Sequence, residues 1–142
     1  MASTLEDLVS QCNLIVTTTS ATSPLIRSEM VRRGTHITAM GSDDHGKQEL
    51  DGRLLAKADL VVADSVSQCI DHGECAPAVR DRHIESTSIV ELGRVIKNPD
   101  LGRISDEQIT IADLTGVAVQ DIQIAKMVDR AFSERERRGP GA

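Results

Sequence analysis

Aromatic residues are almost missing from this chain. Its 142 residues include one Phe, Phe132, and neither Trp nor Tyr. A basic excess is missing too, since the net charge is −6 and Lys and Arg are scattered. With neither a stacking platform nor a basic stripe, no nucleic-acid partner is expected. No apolar run approaches the roughly 18 residues of a membrane-spanning helix, so no membrane partner is expected. The start, Met1-Ala2-Ser3-Thr4-Leu5-Glu6-Asp7, lacks the basic and apolar regions of a signal peptide. Cysteines number three, an odd count that fits a reducing cytoplasm rather than a disulfide framework. Neither a Gly-x-Gly-x-x-Gly fingerprint nor a Gly-x-x-x-x-Gly-Lys-Ser/Thr phosphate loop occurs.

What is present is an alternation of short apolar runs with helical patterns. Leu14-Ile15-Val16-Thr17, Thr35-His36-Ile37-Thr38-Ala39-Met40, Asp59-Leu60-Val61-Val62-Ala63 and Ile109-Thr110-Ile111-Ala112-Asp113 read as buried strands. Helical patterns are expected at about 4–12, 48–57, 65–73, 78–82, 88–96 and 117–132. The last has Ala118, Ile122, Ala125, Val128 and Phe132 on one stripe. Pro24 and Pro77 read as breaks. The expected fold is α/β, a parallel sheet with flanking helices. Residues 133–142 are charged, then Gly/Pro-rich, and read as a disordered tail.

The stretch of greatest chemical interest is Met40-Gly41-Ser42-Asp43-Asp44-His45-Gly46-Lys47. It lies at the carboxyl end of a predicted strand, where open α/β sheets bind ligands. Gly41 permits close backbone approach, and Asp43 sets a carboxylate beside it. Solvated acids in a turn would look the same. Thr17-Thr18-Thr19-Ser20 places a row of hydroxyls at another strand end, able to bond a ribose, a phosphate or their own turn. Cys69, His72 and Cys75 are closely spaced, but lack a fourth ligand at zinc spacing, and no metal is expected. His36 reads as a core or rim histidine, and His45 as the histidine with a site role. Glu91 and Asp121 are helix-borne acids, and Asp121 is accounted for by the helix dipole.

Taken in order, Leu14–Ser20, Gly34–Asp43, Lys47-Gln48-Glu49-Leu50, Glu91-Leu92-Gly93 and Asp113-Leu114-Thr115-Gly116-Val117-Ala118-Val119-Gln120-Asp121 resemble the ornithine cyclodeaminase/mu-crystallin family. The combination of Thr-Ala-Met-Gly-Ser-Asp with Asp-Leu-Thr-Gly looks closer to its ectoine-utilisation and iminosuccinate-reductase-like branch. The resemblance implies a partial Rossmann-type parallel sheet with its first strands missing. Residues 1–132 would then be the C-terminal portion of an NAD(P)-binding domain, present as a fragment. It implies NAD(H) or NADP(H) as cofactor, a small amino or imino acid as substrate, and a homodimer in the full-length protein.

By the same resemblance Asp43 is the catalytic aspartate and also touches substrate. Thr19 or Ser20, Met40, Gly41, Ser42, Asp43, Lys47 and Leu114 line the cofactor, and Thr115 lies on the substrate side. Leu114 stands where the cyclodeaminases usually carry a serine, which weakens ornithine specificity. The implied activity is that of an NAD(P)-dependent oxidoreductase or cyclodeaminase, with the fragment alone inactive. The alternatives are a non-catalytic, mu-crystallin-like binding protein and an inactive remnant. An acid at position 43 favours the enzyme.

Overall fold

The computed structural model describes residues 4–138. Five parallel strands form the main sheet: β1 (Leu14–Thr17), β3 (His36–Ala39), β7 (Thr110–Asp113), β5 (Leu60–Ala63) and β6 (Val90–Glu91), in that spatial order. The four apolar runs are therefore strands, and all run the same way. Ile37, Ala39, Ile111 and Ala63 are fully buried within the sheet. Around them lie α1 (Leu5–Gln11), α2 (Gly52–Lys57), α3 (Val66–His72), α4 (Cys75–Arg80), α5 (Leu92–Lys97) and α6 (Ala118–Arg138). No helix among the described residues is long and apolar enough to cross a membrane.

A second, two-stranded parallel sheet was not anticipated. It pairs β2 (Thr22–Ile26) with β4 (Gln48–Leu50). Two expectations change here. Residues 48–50 are strand rather than helix, because Asp51 caps α2 by accepting the Arg53 N–H at 2.9 Å, so the helix starts after it. Pro24 lies inside β2 rather than breaking the chain. A strand with a single neighbour leaves the missing proline N–H unneeded, and the register shifts between Thr22 and Ile26.

Three further expectations are corrected. Val90-Glu91 form a strand before α5, because they pair with Val62-Ala63, a tertiary contact that overrides the helical spacing. Pro77 lies in the first turn of α4, where a backbone N–H has no intrahelical partner to lose. The final helix runs on to Arg138, so residues 133–138 of the expected tail are helical, as the Glu- and Arg-rich run favours. The rest of that tail, 139–142, lies outside the described residues.

Burial along β1 alternates. Ile15 and Thr17 point inward, whereas Leu14 and Val16 are 64% and 57% exposed. β1 is also an edge strand. The apolar residues of α6, including Ile122, Met127, Val128 and Phe132, are exposed as well. Such surfaces invite pairing. The chain is expected to self-associate as its concentration rises, and the Leu14→Lys/Val16→Lys variant to sediment as a lighter species at equal concentration. Sedimentation velocity checks this; identical behaviour of the two proteins would show that the bare β1 face does not drive association.

Candidate functional site

Because the five strands are parallel, their carboxyl ends share one edge of the sheet. Each has an acid or a hydroxyl at or just beyond its end, and burial sorts these groups into two kinds. Most are turned inward as ties. Asp64, after β5, accepts the Gly116 N–H at 2.8 Å, the Ser65 N–H at 2.8 Å and the Thr115 hydroxyl at 3.2 Å. Glu91, at the end of β6, accepts the Val66 N–H at 2.9 Å and so caps α3. Asp113, at the end of β7, accepts the Cys75 N–H at 2.9 Å. Burial raises its pKa, and its Oδ1 has no hydrogen-bond partner.

Asp43 is of the other kind. It follows β3 on an exposed loop, and Lys47 Nζ donates to its Oδ1 at 2.5 Å. That hydrogen bond is the main reason its pKa lies below the ordinary carboxylate value, with the Lys47 charge acting in the same direction. The lysine is raised in return. Asp43 is thus ionised at neutral pH and open to solvent.

The loop carrying Asp43 is closely held. Ser42 is buried, and its hydroxyl donates to the Lys47 carbonyl at 2.8 Å and reaches the His72 carbonyl at 3.4 Å. Gly41 could not be another residue. A Cβ there would lie 2.2 Å from the Thr19 carbonyl oxygen and 2.5 Å from the Glu49 carboxyl. Met40 is half exposed, and its N–H donates to the Thr17 carbonyl at 2.9 Å. Leu114 docks beside it through its N–H to the Ala39 carbonyl at 2.9 Å. Thr19 and Ser20 are exposed at the end of β1, and the Thr19 hydroxyl accepts the Ala21 N–H at 3.2 Å.

The fold therefore gathers Thr19, Ser20, Met40, Gly41, Asp43, Lys47 and Leu114 at one edge. The Ser42 and Thr115 hydroxyls are occupied inside it. Two inward acids, Glu49 and Glu74, were not singled out from the sequence. Glu49 accepts the Thr19 and Gly41 N–H groups. Glu74 accepts the N–H groups of Glu49 and Leu50 at 2.7 and 2.9 Å. Glu74, beside the apolar run Cys75-Ala76-Pro77-Ala78-Val79, gave one local signal, and Glu49, between Gln48 and Leu50-Asp51, gave none.

The three closely spaced candidate metal ligands do not converge. The Cys69 thiol points to Asp64, the Asp113 carbonyl and Thr115. Burial pushes both the Cys69 and Cys75 thiols up. His72 instead joins Asp71 and His45, whose ligand atoms lie within 4.8 Å of one another. That trio could accept a metal ion, but Lys47 and Arg80 line the same 240 Å³ cavity and oppose a cation there. His36 is a rim histidine bonded to Thr110 and Thr38, and burial lowers its pKa.

Residues 1–136 match the ornithine cyclodeaminase/mu-crystallin family. The chain belongs to that family. It is 45% identical over 120 residues to the alanine dehydrogenase of Archaeoglobus fulgidus, covering 84% of this chain and 37% of that protein. The iminosuccinate reductase of Paracoccus denitrificans, solved in complex with NAD+, superposes with a TM-score of 0.89 at 40% identity, over 96% of this chain and 42% of that one. An archaeal alanine dehydrogenase dimer with bound NAD superposes with a TM-score of 0.85 at 41% identity, over 94% and 42%. The chain thus spans well under half the length of these family members.

A dinucleotide fits this edge in part. Met40 offers an apolar surface, and exposed hydroxyls lie at Thr19 and Ser20. These suit a nicotinamide nucleotide, while no Gly-rich phosphate turn occurs in residues 1–142.

Glu74 gives a pH test of the site's foundations. Burial raises its carboxyl to about 7 against the ordinary 4.5. A folded pKa above the unfolded one means that the folded state holds its proton longer. The associated stability is full in acid and lost as pH rises from about 4.5 through about 7, up to about 3 kcal/mol. Asp113 is shifted the same way. Urea unfolding should show stability falling between about pH 5 and pH 8, with a smaller fall in Glu74→Gln. Equal slopes in both proteins would remove Glu74 as the cause.

Proposed function

We propose that the chain supplies the catalytic-carboxylate side of an NAD(P)-dependent oxidoreductase acting on a small amino or imino acid. The observation that carries this is the exposed, ionised Asp43, paired with Lys47 at the carboxyl end of an inner parallel strand. The likeness to an NAD+-bound iminosuccinate reductase and to alanine dehydrogenases supports it. A protein that only stored a ligand would have no need of a proton acceptor there.

The cofactor, when bound, supplies the hydride acceptor or donor. This chain's residues do the rest. Asp43 starts ionised, so the first proton moves towards it, from an amine or a water, and returns to the nitrogen or oxygen later. Lys47 orients the carboxylate and keeps it charged. Met40, Gly41 and Leu114 form an apolar floor, and Thr19 and Ser20 offer hydroxyls to the ribose or amide. We place Thr115 at the substrate side through its backbone, since its hydroxyl is held by Asp64. Further polypeptide would supply the pyrophosphate turn, pair with the open edge of β1 and complete a homodimer.

The test is a chimera in which residues 1–136 replace the matching part of the P. denitrificans reductase. It should turn over. Asp43→Asn within it should lower kcat by about 10²–10⁴-fold with NADH affinity little changed. Undiminished turnover would reduce Asp43 to a turn residue. The 142-residue chain alone should bind NADH weakly, because most pyrophosphate affinity comes from a Gly-rich turn and the helix behind it. Calorimetry checks this, and micromolar binding would contradict it.

A further inference from the structure

The ladder between β1 and β3 ends where the Met40 N–H donates to the Thr17 carbonyl. Beyond that point no backbone bond joins the two segments, yet 18–20 and 40–43 stay so close that a Cβ on Gly41 would come within 2.2 Å of the Thr19 carbonyl oxygen. One buried side chain takes over. Glu49 Oε2 accepts the Thr17 hydroxyl at 2.5 Å and the Gly41 N–H at 2.9 Å. Its Oε1 accepts the Thr19 N–H at 2.6 Å. Three donors from two segments converge on one fully buried carboxylate, which offsets the penalty of burying it.

The carboxylate is itself held from behind. Its residue lies in β4, and the N–H groups of Glu49 and Leu50 donate to the two oxygens of Glu74, at the start of α4. The chain of contacts runs from the α3–α4 turn, through β4, to the two segments that carry Thr19 and Asp43. Gly41 closes it, since any Cβ there would strike the Glu49 carboxyl.

We propose that Glu49, braced by Glu74, is a positioning residue that sets Met40–Asp43 against Thr18–Ser20 and so aims Asp43. Both of its oxygens are occupied within the fold, so it acts through the backbone and not on a substrate. Its bearing on turnover rests on the function proposed above; its structural content does not.

The experiment is nuclear magnetic resonance of the intact 142-residue chain and of Glu49→Gln. The variant keeps the shape, but an amide has one acceptor oxygen for three donors. Amide exchange at Thr19 or Gly41 should rise by about tenfold or more, while amides of β5 and β7 keep their protection. The Asp43 carboxyl should titrate closer to the ordinary value, because its pairing with Lys47 depends on the loop being held. Should Glu49→Gln fail to fold, Thr17→Val removes one donor only and should move the same signals less. Unchanged Thr19, Gly41 and Asp43 signals would overturn the proposal. So would protection lost equally throughout the sheet, which is the mark of a general stabiliser. Neither readout involves a cofactor, so failure of the chimera would sink the functional reading and leave this result standing.

Discussion

A buried carboxylate set among backbone N–H groups is the contact on which the carboxyl-end edge of this sheet depends. Parallel strands carry their own ladder only as far as they remain side by side. Glu49 bridges the gap where β1 and β3 separate. Charge-assisted hydrogen bonds are short and directional, so the bridge fixes distance and direction together. The glycine opposite follows from the same contact, because no side chain fits between it and the carboxyl.

Acids along that edge divide by what surrounds them. Those enclosed by the fold serve as connectors. Asp64 ties the 115–116 turn, Glu91 caps α3, Asp113 anchors the start of α4, and Glu74 holds β4. Burial lifts Glu74 and Asp113, whereas Lys47 lowers the exposed Asp43. Opposite shifts therefore separate a carboxyl that is ionised in solvent from carboxyls that the fold encloses. The exposed face of β1 and the apolar side of α6 leave apolar surface open to solvent.

Local pattern determined a good deal on its own. Four runs of β-branched and apolar residues marked four of the five main strands within a residue or so, because such side chains pack well in a sheet even where, as in β1, one face is open. The loop at 40–47 was marked by its place after a strand and by its glycine and acid. The order of motifs pointed to the family that residues 1–136 match.

Only the tertiary structure decided the rest. Thr22–Ile26, with its proline, and Gln48–Leu50 have no strand period. They are strands because each is the other's partner. Val90-Glu91 likewise became strand by pairing with β5. Whether an acid is tied into the fold or open to solvent was equally hidden. Asp43 and Glu49 lie six positions apart in one polar stretch, and nothing local separates them. One is ionised in water beside a lysine, and the other is enclosed by three donors, two of them some 30 residues away in sequence. Burial and hydrogen-bond partners come from contacts distant along the chain, and composition and periodicity do not encode them.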